Sequence, residues 1–136
     1  VRPFFESPVW RRIRLARRVL REEPFITALP AGEVTGDRPG TGPLPDGAQV
    51  LVQGIADLVL VFDDHAEILD YKTDRSRDPD FYRREYAGQL RLYRRAFALR
   101  LPVPVTRLTI YSVTLAQEID IPLQEEPAQS FSAPTP

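Results

Sequence analysis

Apolar and polar positions along the chain follow helical and strand periodicities in turn. Ser7-Pro8 reads as an N-cap with proline at the first helical position. Val9, Ile13, Ala16 and Leu20 then recur at helical spacing, which predicts a first helix closed by Pro24. Glu22 to Leu29 reads as a short strand. Gln49 to Phe62 is apolar on both alternating faces, the pattern of a central strand covered on both sides. Asp63-Asp64 suits a tight turn, after which Ala66 to Lys72 returns as the second arm of a hairpin. A polar stretch from Thr73 leads into a long helix over Pro79 to Leu101, stopped by Pro102 and Pro104. Val105 to Val113 is a further strand, and Leu115 to Ile121 is a candidate for one more.

The order α-β-β-β-α-β predicts an α/β chain of α+β type: a mixed sheet flanked by helices, with the hairpin at its centre. Residues 30–48 hold nine glycines and prolines, so a mobile loop inside the domain is expected there. The domain is expected over residues 1–123. The stretch 124–136, rich in proline, serine and glutamine, reads as a disordered tail.

Composition narrows the chemistry. The 136 residues suit one domain, and 43% hydrophobic with 27% charged residues can build a core. There is no cysteine, which excludes disulfides, thiolate zinc sites, an iron–sulfur cluster on cysteines and a cysteine nucleophile. His65 is the one histidine, so a zinc site of several imidazoles is excluded as well. No apolar run approaches a membrane span and no signal-peptide pattern opens the sequence. Methionine is absent, an initiator included, so the expectation is a piece of a larger protein.

The net charge of -1 argues against a strongly basic nucleic-acid module. Arginines crowd residues 11–21 and 83–100 all the same, and a solvated helix face accounts for many of them. Of the 18 basic residues 17 are arginine, and Lys72 is the single lysine.

Two carboxylates interrupt apolar strands: Asp57 in I-A-D-L-V-L-V-F and Asp70 in I-L-D-Y-K. Each alone reads as a strand end or a solvated edge. Together they support another reading. A two-residue turn at Asp63-Asp64 sets Val61 against Ala66 and, counting back, Asp57 against Asp70. Opposed residues of an antiparallel pair share a face with Cβ atoms about 5 Å apart. Lys72, two residues on from Asp70, points the same way. Paired carboxylates repel unless one is protonated or a cation lies between them. A hard divalent ion such as magnesium suits the oxygen donors, with Lys72 beside it to orient water and offset phosphate charge. On the long helix, Tyr82, Tyr86, Leu90, Tyr93 and Phe97 form an apolar stripe, and Gln89 falls inside it. Gln89 either bonds a neighbouring backbone or reaches the site or a DNA phosphate.

Four blocks carry a family resemblance: R-E-E-P-F at 21–25, V-Q-G-I-A-D at 52–57, I-L-D-Y-K-T-D at 68–74 and Q-L-R-L-Y at 89–93. In this order, with D-Y-K-T-D intact, they resemble the RecB-type nuclease domain of the PD-(D/E)XK superfamily, over residues 4–121. The resemblance implies a restriction-endonuclease-like core and a magnesium-dependent deoxyribonuclease of exonuclease type, with manganese able to substitute. Asp57 and Asp70 would bind the metal, with the Tyr71 carbonyl as a further ligand. Lys72 would be the catalytic lysine, and Gln89, Tyr93 and Glu22 would support the site and DNA. The family's metal-binding histidine lies on a helix upstream of these blocks, and His65 does not match it.

The implied setting is the bacterial cytoplasm, at the nucleoid, in double-strand break repair. The implied partners are single-stranded DNA from unwound duplex, an ATP-driven helicase motor on the same parent chain and a second helicase/nuclease subunit, with no membrane. Two other readings stay open: a DNA-gripping module without catalysis, and a protein-interaction domain docking through the arginine helices. The paired inward carboxylates weigh against the first of these, since they repel phosphate.

Overall fold

The computed structural model describes residues 2–31 and 47–124. A short helix α1 (Arg2–Phe5) and a helix α2 (Pro8–Leu15) precede three strands, β1 (Arg18–Pro30), β2 (Gln49–Val61) and β3 (Ala66–Lys72). A long helix α3 (Pro79–Ala98) and strands β4 (Val105–Ser112) and β5 (Gln117–Ile121) follow. The strands form one sheet in the order β1-β2-β3-β4-β5. All neighbours are antiparallel except β3 and β4, which run parallel because α3 makes the crossover between them. The result is the mixed sheet with helices expected of a restriction-endonuclease-like core. The loop expected over 30–48 falls mostly, and the tail from 124 almost wholly, outside the described residues. At the loop's base the Ala31 N–H donates to the Ala48 carbonyl at 2.9 Å.

Each helix covers one face of the sheet. On one side Tyr82, Leu90, Ala96 and Phe97 of α3 pack on Phe25, Leu29, Val52, Ala56, Val59 and Ile68. On the other, Val9 and Ile13 of α2 pack on Leu58, Leu60, Leu69 and Tyr111. Asp78 caps α3 by accepting from the Asp80 N–H at 3.0 Å, with proline next in the chain. Ser7 caps α2 by accepting from Trp10 N–H at 3.2 Å.

Two sequence expectations are corrected. The first helix stops at Leu15 rather than running to Pro24, and Ala16 is already extended (φ -68°, ψ 143°). The Arg17 N–H donates to the Val61 carbonyl, and β1 pairs with β2 from Arg18 onward. That ladder gives β2 a partner along the edge where β3 does not reach, so tertiary pairing overrides the local helical spacing. Secondly, β2 is covered on both sides only in its last rungs, residues 58–61, where it also pairs with β3. Its first half forms a two-stranded arm with β1, and Leu51 and Ile55 on that arm are exposed.

The arm joins the sheet through a break in alternation. On β2, Val52 and Ala56 face α3, and so do Val59 and Val61, an odd step that regular strand geometry forbids. On β1 the same odd step separates Leu20 from Phe25. Between them the Glu22–Asp57 rung is missing from an otherwise unbroken register, and Glu22 has a left-handed φ of 47°. Such backbone costs a non-glycine residue on the order of 1 kcal/mol. Both strands therefore turn over by one residue at the point where Asp57 sits.

Candidate active site

The site lies at the fork where β2 leaves β3. The Asp63-Asp64 turn has the expected two-residue register: Phe62 N–H donates to the His65 carbonyl at 2.8 Å and Val61 pairs with Ala66. The last paired rung is Leu58–Leu69, so Asp57 and Asp70 face one another one step beyond the ladder. With β2 turned over at that step, Asp57 Oδ2 accepts from the Tyr71 backbone N–H at 2.8 Å. A carboxylate thus replaces the missing strand partner. The Tyr71 carbonyl lies along the same edge of β3 as its N–H, as strand geometry requires.

Asp70 is buried, 4% exposed, on the α3 side of β3. Burial pushes its carboxyl up to about 6; Lys72 opposes that shift, and the neighbouring Asp57 carboxyl, within hydrogen-bonding reach, adds to it. Lys72 Nζ lies 2.7 Å from Asp70 Oδ2, donates to Gln89 Oε1 at 3.2 Å and sits 4.1 Å above the centre of the Tyr86 ring. Tyr93, one turn beyond Gln89, packs its ring on Phe25 at 5.1 Å. Its phenol is raised by burial and then by the charges of Asp70 and Asp57. The Phe25 ring lies over Gly54, where a Cβ would stand 3.0 Å from Phe25 Cζ. Glycine is therefore what lets Phe25 reach Tyr93.

The fold thus brings Asp57, Asp70, Lys72, Gln89 and Tyr93 together. Glu22 is exposed, and it meets the site through its backbone at the rung missing opposite Asp57. His65 lies at the far end of β3, stacked on Phe62 with Nδ1 2.7 Å from Asp64. Among the described residues no group of three or more His, Cys, Asp or Glu side chains gathers as a cation cage.

Sequence reading missed the support behind Lys72. Tyr86 Oη donates to the Asp74 carboxylate, at 2.8 and 3.0 Å from its two oxygens. The Asp74 carbonyl in turn accepts from Thr114 Oγ1 at 2.6 Å and shares the Tyr82 hydroxyl, at 2.9 Å, with the Ser76 carbonyl at 2.8 Å. Helical spacing placed Tyr82 and Tyr86 in the apolar stripe and could not show that their hydroxyls grip the irregular segment following Lys72.

The D-x-K pair on β3, the carboxylate across the fork and the glutamine and tyrosine of α3 are accompanied by a match of sequence pattern over residues 2–133 to the PD-(D/E)XK nuclease superfamily. The chain belongs to that superfamily. It is 36% identical over 123 residues to the AddA subunit of the ATP-dependent helicase/nuclease of Heliobacterium modesticaldum, covering 85% of this chain and 8% of that protein. It is 36% identical over 118 residues to the corresponding protein of Geobacillus thermodenitrificans, covering 80% and 9%. Against that of Pelotomaculum thermopropionicum it is 41% identical over 95 residues, covering 68% and 7%. The chain spans about a tenth or less of these relatives. The four sequence blocks resemble the nuclease domain of AddA, in accord with the relatives' names. No helix among the described residues is long and apolar enough to cross a membrane.

Proposed function

We propose that this domain hydrolyses phosphodiester bonds of single-stranded DNA with the help of a divalent cation, as the exonuclease-type module of a bacterial helicase/nuclease. The observation that carries this reading is the Lys72 ammonium 2.7 Å from a buried carboxylate that faces a second carboxylate across a strand fork. The fit to a cation rests on charge. Two carboxyl groups meet one ammonium, and Asp70 is pushed up to about 6 chiefly by burial, with Asp57 adding to the shift. The donors are all oxygen, which suits magnesium or manganese.

Asp57, Asp70 and the Tyr71 carbonyl would hold the cation. When bound, it supplies Lewis-acid polarisation of the phosphate and makes water more acidic. Lys72 orients the attacking water and offsets charge on the scissile phosphate. Gln89 and Tyr93 hold Lys72 and the carboxylates in place, and Glu22 shapes the fork through its backbone. Water adds to phosphorus, the P–O ester bond breaks, and the leaving oxygen takes a proton.

The relatives' names support a helicase motor on the parent chain, with the strand delivered from unwound duplex. The proposal is completed by a place in double-strand break repair, a cytoplasmic, nucleoid-associated setting and a second helicase/nuclease subunit. Calorimetric titration of manganese into this chain, beside cleavage of single-stranded DNA by the full-length protein carrying the domain, tests it. Wild type should bind and cleave, and Asp70→Asn should do neither. Cleavage persisting in excess chelator, or manganese binding undiminished in Asp70→Asn, would overturn it.

A further inference from the structure

Lys72 is held from three sides, and only one of them is the carboxylate assigned above to the cation. Asp70 Oδ2 is 2.7 Å from Nζ, Gln89 Oε1 is 3.2 Å away, and the Tyr86 ring centre is 4.1 Å away. A carboxylate engaged by a divalent cation has less to give an ammonium. The amide and the ring come from α3 and do not depend on Asp70.

The ring is itself anchored. Its hydroxyl donates to the Asp74 carboxylate, and the Asp74 carbonyl is clamped by Tyr82 Oη from α3 and Thr114 Oγ1 from the β4–β5 turn. Ser112 Oγ donates to Tyr82 Oη at 3.1 Å and accepts from the Leu115 N–H, which ties the clamp into β4. The backbone leaving Lys72 is therefore fixed by the same helix that supplies the ring under its ammonium. A cation over an aromatic face is attracted by the ring's quadrupole, more strongly where water is excluded. The Lys72 side chain is only 16% exposed.

We propose that Tyr86, anchored by Asp74, is a positioning residue that seats the Lys72 ammonium independently of Asp70. The catalytic purpose of this seat rests on the nuclease reading above; the seat itself does not. A flexible lysine held to one position spares the reaction the cost of ordering it, and misplacement of such a group by about 1 Å can cost ~100-fold in rate.

The chain's single lysine makes the test direct. Labelling with lysine carrying 13C at Cε gives one side-chain cross-peak, and a proton above a ring face resonates upfield of its usual position. In this chain, wild type should show that upfield Hε shift, Tyr86→Phe should keep part of it and Tyr86→Leu should lose it. Asp74→Ala should match Tyr86→Phe, and the double variant should be no worse than either, because both remove the same bond.

In the full-length protein, Tyr86→Leu should lower kcat by ~10- to 100-fold with KM unchanged. Tyr86→Phe should recover most of that loss. An unshifted Hε in wild type, or full kcat in a folded Tyr86→Leu, would overturn the proposal. Should Tyr86→Leu fail to fold, unequal effects of Tyr86→Phe and Asp74→Ala would do the same. A seated lysine in a wild type that cleaves nothing would instead overturn the nuclease reading and with it the seat's catalytic purpose.

Discussion

Asp57 occupies, with its side chain, the place that a strand partner would take beside Tyr71. Its Oδ2 accepts the Tyr71 backbone N–H at 2.8 Å, one residue past the last rung between β2 and β3. The same carboxylate closes the sheet and opens the site. Structure and chemistry can therefore be separated by substitution. Asp57→Asn keeps an acceptor for that N–H and should lie within ~1 kcal/mol of wild type, whereas Asp57→Ala should cost about 1–2 kcal/mol. Both should abolish cleavage. Urea unfolding of the two variants, beside nuclease assays, checks the pair of outcomes.

Asp70 makes the fold pH-dependent. Its carboxyl is raised to about 6, chiefly by burial. The folded chain thus holds that proton more tightly than the unfolded chain does. The stabilisation is complete below about pH 4 and is lost as pH rises through about 6, by on the order of 2 kcal/mol. Denaturation midpoints of the metal-free chain between pH 4.5 and 7.5 should show this decline, and Asp70→Asn should flatten it. Millimolar manganese should raise the melting temperature more at pH 7.5 than at pH 5, because binding the cation displaces the proton.

Lys72→Ala separates catalysis from grip. One cation among 18 basic residues contributes about one phosphate contact, so DNA affinity should barely change and the salt slope should fall by about one. The cleavage rate should fall by ~100-fold or more. Arginine should not rescue it, because a guanidinium is planar, larger and never deprotonated. Filter binding and cleavage on one single-stranded substrate give both numbers. Equal loss of both would favour the DNA-gripping module.

Gly54 tests the route from the arm to the site. A Cβ there would meet Phe25 Cζ at 3.0 Å and Tyr93 Cε1 at 3.5 Å. Gly54→Val should push Phe25 off the strand, disturb Tyr93 and destabilise the chain by about 1–3 kcal/mol. Gly54→Val combined with Phe25→Leu, which relieves the contact, should recover stability without restoring full activity. Melting temperatures and cleavage rates of the single and double variants check this.

The local sequence was sufficient wherever structure follows from near neighbours. The two-residue turn at Asp63-Asp64 sets the hairpin register, and the register sets Asp70 opposite Asp57. Period two puts Lys72 on the face of Asp70, and helical spacing puts Gln89 and Tyr93 on the face of α3 that meets them. Each of these inferences rests on a turn length or on a spacing of a few residues. Only the tertiary structure could end α2 at Leu15, because the competing partner of Arg17 is Val61, far along the chain. Nor could alternation reveal the turnover at Glu22 and Asp57. Reading faces by parity assumes a continuous ladder, and the ladder breaks at that rung. The anchoring of Tyr86 by Asp74 belongs to the same class. A stripe of tyrosines announces a face turned to the sheet, but the partner of a half-buried hydroxyl is chosen by whatever backbone and carboxylate the fold delivers to it.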